Sequence, residues 1–116
     1  MDDCLFCGIV DGRVPADIVH ETDRTVAFRD IAPAAPVHVL VVPRAHVENA
    51  SSIGPEHAED LAAMVVAARE IAAAEGIAGE ERGYRLVFNV GRDSANSVPH
   101  LHLHVIGGRP MTGPPG

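Results

Sequence analysis

The sequence contains no lysine and no tryptophan, and a single tyrosine with three phenylalanines leaves it poor in aromatics. All fixed positive charge rests on nine basic residues, every one an arginine, against sixteen acidic side chains, for a formal net charge of −7. No basic stripe is available to displace counterions, which argues against a nucleic-acid backbone as the main partner. Any phosphate bound here must be held by histidines, backbone N–H groups or a helix N-terminus. Cysteine is confined to one Cys4-x-x-Cys7 pair. In a reducing compartment that spacing reads as half a metal site or a redox pair rather than a structural disulfide. Although 47% of the residues are hydrophobic, no apolar run reaches membrane-spanning length. The opening Met1-Asp2-Asp3-Cys4 is acidic where a secretory signal would be basic. The expectation is a cytoplasmic protein with no membrane and no nucleic acid among its partners.

The 116 residues suit one compact domain over 1–116, able to bury an apolar core without cross-links. Ile18–Glu21 is a short extended segment, closed by a turn at Thr22-Asp23-Arg24. Thr25–Asp30 carries β-type residues, and Val37–Val42 is the strongest β-branched run, ended by Pro43. From Pro55 to about Glu75 the period changes: Leu61, Met64, Val65, Ala68, Ile71 and Ala72 recur as one helix face. Ser52 or Gly54 is placed to start this helix and Gly76 to stop it. Tyr84–Val90 and His100–Ile106 read as strands, separated by a polar loop over 91–98. Residues 109–116 form a tail with no regular element. Adjacent strands with short turns and one long helix predict an α+β fold, with an antiparallel sheet of about five strands.

Seven histidines stand against this sparse background, three of them in His100-Leu101-His102-Leu103-His104. On a strand, alternate side chains face the same way about 6.7 Å apart, so three imidazoles would share one face and the aliphatic residues the other. A solvated edge face is one reading. A three-histidine metal site is another, but i and i+4 lie roughly 13 Å apart on a strand, which fits poorly. Separate roles on one phosphate fit the spacing best. A neutral imidazole attacks phosphorus readily and forms a labile phosphoramidate. The nucleophile must carry its proton on Nδ1, oriented by a backbone carbonyl or a second histidine. His38, between aliphatic neighbours in Val37–Val42, is a candidate partner, and a satisfied core histidine by spacing alone.

The run His100–Ile106 resembles the alternating signature of the histidine triad (HIT) superfamily. The resemblance extends over nearly the whole chain: Leu5-Phe6-Cys7-Gly8-Ile9, Ala27-Phe28-Arg29-Asp30-Ile31-Ala32-Pro33, Val42-Pro43-Arg44-Ala45-His46, Phe88-Asn89-Val90-Gly91, Gly107-Gly108-Arg109-Pro110-Met111 and Pro114-Pro115-Gly116 occur in the order of the Hint-like nucleoside phosphoramidase branch. It implies an α+β domain paired as a homodimer, with the two sheets joined across the interface. It also implies release of a purine nucleoside monophosphate, AMP or GMP, from an amine or lysine phosphoramidate. Dinucleoside polyphosphate hydrolysis on the same site, and a nucleotide-sensing scaffold with residual catalysis, are the alternatives.

Carried over by motif position, the resemblance makes His102 the nucleophile, with His104 on the phosphate and leaving group. The His100 carbonyl would orient His102, and His38 would support. It implies that Asn89, Ser97 and the loop N–H near Val98 contact phosphate or leaving group, and that Asp30 accepts from ribose hydroxyls. Leu5, Phe6, Ile9, Phe28 and Ile31 would form the base pocket. Bacterial members further imply a structural zinc on Cys4, Cys7, His46 and His100, a closed tetrahedral site with no catalytic metal. Two positions depart from the pattern: Gly113 replaces the tryptophan before Pro-Pro-Gly, and Pro99 replaces an aromatic residue.

Overall fold

The computed structural model describes residues 4–112. The acidic start over 1–3 and the tail from Gly113 onward lie outside the described residues. The element order is α1 (Leu5–Val10), β1 (Ile18–Glu21), β2 (Thr25–Arg29), β3 (Val37–Pro43), α2 (Ala58–Ala74), β4 (Tyr84–Val87) and β5 (Leu103–Gly107). The five strands form one sheet in the order β1-β2-β3-β5-β4, and every neighbouring pair is antiparallel. The architecture is α+β with one long helix, as the periodicity predicts.

β3 sits at the centre and is buried along its whole length, which explains a continuous apolar run where a half-exposed strand would alternate. Its faces serve different purposes. Val37, Val39 and Val41 join Ala27, Leu103 and Val105 under α2 residues Met64, Ala67, Ala68, Ile71 and Ala72. Leu40 and Val42 join Val26 and Phe28 under α1 residues Phe6 and Ile9. One face of the sheet carries the main core. The other carries a smaller core that leaves room for a pocket.

Several boundaries differ from expectation. The Pro55–His57 turn is 3₁₀ and runs into α2; Gly54 N–H donates to His57 Nδ1 at 2.9 Å, and His57 N–H returns to the Gly54 carbonyl at 2.9 Å. Leu61 is only half-buried and Val65 is 44% exposed, with Ala67 taking the expected place on the core face. α2 meets the sheet along a narrower stripe than the apolar pattern suggests. β4 stops at Val87, because the chain leaves the sheet edge to carry Asn89 toward the pocket. β5 begins only at Leu103, so His100 and His102 precede the strand. The three imidazoles therefore do not share one strand face. The short helix α1 had no periodic signal to betray it, since six residues give less than two turns.

α2 ends in a Schellman arrangement: Gly76 N–H donates to Ala73 O at 3.2 Å and Ile77 N–H to Ala72 O at 3.0 Å. Gly76 has φ 76°, the left-handed region that costs a side chain about 1–2 kcal/mol. The turn drives Ile77, 1% exposed, into the main core. Replacing Gly76→Ala should lower stability by about 1 kcal/mol, read as a reduced urea midpoint at unchanged slope.

Candidate functional site

The site begins with buried polar groups that must find partners. His100 is fully buried. Its Nε2 donates to the Pro43 carbonyl at the end of β3, 3.0 Å away, which leaves the Nδ1 lone pair facing the cysteines. Nδ1 lies 3.4 Å from Cys4 Sγ and 3.5 Å from Cys7 Sγ. His46, on the turn after β3, brings its Nδ1 to 3.3 Å from Cys7 Sγ. Cys4, Cys7, His46 and His100 thus gather one ligand atom each within 4.8 Å of one another. With Zn–S near 2.3 Å and Zn–N near 2.0–2.1 Å, tetrahedral sulfur and nitrogen ligands stand about 3.5 Å apart. The donor set and its spacing fit such an ion, and the Pro43 carbonyl supplies the outer hydrogen bond that fixes the ligating ring. The sequence reading grouped these four residues, and the fold brings them together across nearly the whole chain.

The backbone then turns. The His100 carbonyl accepts from Nδ1 of His102 at 2.7 Å, which leaves the Nε2 lone pair of His102 on the pocket side. Phe6 meets the His102 ring edge-on at 5.1 Å between centroids, and the His104 ring stands at the same separation. An imidazole so held has its tautomer selected by the carbonyl, and such a ring can serve as a nucleophile.

A second chain of hydrogen bonds selects the tautomer of His104. Ala34 N–H donates to Nδ1 of His38 at 2.9 Å, so the His38 proton is on Nε2. That N–H lies 2.9 Å from Nδ1 of His104 and 3.3 Å from an Asp30 carboxylate oxygen. Nδ1 of His104 accepts, and its own proton is on Nε2. There it stands 3.3 Å from Nδ2 of Asn89. Both nitrogens are donors in this state, so they suit a common acceptor such as a phosphoryl oxygen. His38 thus pairs with His104 across the β3–β5 ladder, and it is the His100 carbonyl that orients His102.

Asp30, His38 and His104 also bring ligand atoms within 4.8 Å, but a metal on Nε2 of His38 would need that ring's proton on Nδ1. The Ala34 N–H already points there. This cluster is a proton-ordered chain.

His102, His104, Asp30 and Asn89 line one pocket of about 670 Å³, of a size for a small-molecule ligand; His38 and His100 are not part of its lining. α1 supplies Leu5, Phe6 and Ile9; β2 and the residues after it supply Phe28, Asp30 and Ile31; the far side holds Asn89, Ser97, Val98, His102 and His104. Ile31 is 100% exposed and Leu5 49%, large apolar side chains at the rim that the described residues leave uncovered. The N–H groups of Ser97 and Val98 meet no acceptor among the described residues. Leu40, Val14, Pro15, Ala16 and Asn96 also line the pocket and were missed. Leu40 follows His38 by two on a strand, so the period of two was signal enough for it. The 14–16 loop carries no local sign, because only α1 docking brings it there.

The HIT domain family model matches residues 11–111. The purine nucleoside phosphoramidase of Escherichia coli K12 is 41% identical over 110 residues, covering 95% of this chain and 91% of that protein. This chain belongs to the HIT domain family. A HIT family hydrolase from Legionella pneumophila Philadelphia 1 superposes with a TM-score of 0.93 at 46% identity, covering 98% of this chain and 100% of that one. A HIT family hydrolase from Clostridium thermocellum gives 0.93 at 40% identity, covering 98% and 97%. The chain is accordingly a HIT-family enzyme, a hydrolase with the α+β fold of that family. Among the described residues no helix is long and apolar enough to cross a membrane.

Burial shapes the charge of this HIT site. Desolvation holds the His104 imidazole down to about 4, helped by the neighbouring His102 and His38 and opposed by Asp30. Desolvation likewise lowers His38, with Asp30 opposing. Both rings are neutral near pH 7. The unfolded chain protonates His104 near the ordinary 6.5, the folded one only near 4, so folding stability is complete above 6.5 and falls as pH drops through that window. A His104→Asn variant should therefore lose less of its thermal midpoint between pH 6.5 and 4 than the parent, measured by calorimetry at fixed ionic strength.

Proposed function

We propose that this HIT hydrolase cleaves purine nucleoside 5′-phosphoramidates through a covalent nucleotidyl-His102 intermediate. The observation that carries the reading is the His102 ring, whose Nδ1–H is taken by the His100 carbonyl at 2.7 Å while Nε2 faces a pocket shared with His104. The name of the E. coli relative, a purine nucleoside phosphoramidase, supports the substrate class.

In the first step Nε2 of His102 attacks phosphorus and the P–N bond breaks, the amine nitrogen taking a proton from solvent as it leaves; the water of the second step returns that proton. In the second, water opens the P–N bond to His102, releases AMP or GMP and restores the neutral ring. The charge that the imidazole gains on attack is held by its hydrogen bond to the His100 carbonyl. His104 and Asn89, two donors 3.3 Å apart, hold the phosphoryl oxygens, aided by Ser97 and the N–H of Val98. His38 keeps His104 in the donating tautomer. Asp30 accepts from the ribose, and Leu5, Phe6, Ile9, Phe28 and Ile31 enclose the base.

Cys4, Cys7, His46 and His100 would hold a zinc ion, a Cys₂His₂ set of the structural kind that would tie α1 to the turn after β3 and to the segment before β5. The protein works as a homodimer. β4 is a sheet edge with Leu86 41% exposed, and pairing that edge with a second copy satisfies its open backbone groups.

His102→Ala should reduce release of the nucleoside monophosphate by about 10⁴-fold or more, while the dissociation constant for AMP or GMP changes only a few-fold. Release at the parent rate would refute the covalent route. Protein purified without chelator should carry about one zinc per chain, by elemental analysis; a ratio near zero would refute the metal assignment.

A further inference from the structure

Cys7 and His46 do not line the nucleotide pocket through their ligand atoms; they meet each other at the surface end of the Cys/His cluster, 3.3 Å apart, with His46 exposed. Two routes nonetheless join that cluster to the pocket. The first runs through His100. Its ring is held between Pro43 O and the cysteines, and its carbonyl holds Nδ1 of His102 at 2.7 Å. Ring and carbonyl belong to one residue, so what anchors the ring also anchors the residue whose carbonyl aims His102.

The second route runs through α1. Cys4 is the N-cap of this helix, its Sγ accepting from Cys7 N–H at 3.3 Å. The same six residues carry Leu5, Phe6 and Ile9 of the pocket wall. Phe6 packs edge-on against His102 at 5.1 Å, His100 at 6.0 Å and Phe28 at 5.3 Å. A helix this short has no stability of its own in water, so its position depends on what anchors it. Its contacts belong to the smaller core with Val26, Leu40 and Val42, separate from the core under α2. The anchor can therefore loosen without dissolving the rest of the fold.

We propose that the Cys4/Cys7/His46/His100 cluster, loaded with a divalent metal, is a positioning device that sets the nucleophile ring and the base wall together. Cys7 and His46 are then positioning residues for a reaction they never touch. The proposal rests on the nucleotidyl-histidine reading for what His102 does, but the coupling itself is read by binding as well as by turnover.

The test compares the parent protein, its chelator-stripped form, His46→Ala and His46→Cys, each with and without added Co²⁺ followed by its visible absorption. Nucleotide affinity is measured with AMP and GMP by calorimetry, turnover with an adenosine phosphoramidate, and fold by far-ultraviolet circular dichroism. The stripped parent and His46→Ala should keep the helical signal of α2, lose about 10–100-fold in kcat, and bind nucleotide about 10-fold more weakly. Zinc or Co²⁺ should restore both in the parent. His46→Cys, which rebuilds a four-ligand Cys₃His set, should bind Co²⁺ and recover both properties.

A stripped parent with unchanged kcat and unchanged affinity overturns the proposal. So does complete unfolding on stripping, which would make the cluster a support for the fold alone, and so does a Co²⁺-loaded His46→Cys that recovers neither property. Metal-dependent nucleotide binding without hydrolysis would instead sink the phosphoramidase reading and leave the coupling standing. Hydrolysis indifferent to metal would do the reverse, and a protein that binds no nucleotide under any condition overturns both.

Discussion

One buried residue, His100, organises the site. A fully buried imidazole must satisfy both ring nitrogens or pay a desolvation penalty of a few kcal/mol, and each solution here ties down a different part of the chain. Nε2 takes the Pro43 carbonyl at the end of the central strand, Nδ1 turns to the two cysteines, and the main-chain carbonyl takes the proton of His102. Requirements of burial thus fix the orientation of the His102 ring. The N-terminal helix, the turn after β3 and the segment before β5 meet at this one side chain.

The sheet divides its labour in the same spirit. The face under α2 is filled by interlocking aliphatic residues, with Val39, Val41 and Val105 fully buried. The opposite face carries His38, Leu40 and His104 in cross-strand relation, and a six-residue helix covers only part of it. A rigid floor on one side lets the other hold polar groups at hydrogen-bond distances without local collapse. The ordered chain from Ala34 N–H through His38 to His104 depends on that floor, because a small shift between β3 and β5 would break the 2.9 Å contact that selects the tautomer.

Much of this was legible before any coordinates. The β-branched density of Val37–Val42 and the three-and-four spacing after Pro55 foretold β3 and α2, because both are local consequences of side-chain period. The three-histidine run, with Cys4-x-x-Cys7 and the motifs around Asp30 and Asn89, pointed to the HIT family and grouped the residues that converge. The misreadings have separate causes. His100 and His102 looked like strand residues because alternation continues through them, yet the chain leaves the ladder so that His100 can reach the cysteines. Val65 looked like core because it is apolar at a helical spacing, but α2 touches the sheet along a narrower stripe.

The sequence by itself determined the periods, the breaks and the inventory: which residues can be strands, where α2 stops at Gly76, and a set of polar side chains with seven histidines and no lysine. Those are properties of neighbours along the chain. Only the tertiary structure decided which nitrogen of each imidazole carries the proton, that His38 serves His104, and that residues 14–16 and Leu40 belong to the pocket wall. Tautomers and walls are set by partners tens of residues away, through bonds that hold only when burial has excluded water as a competing partner.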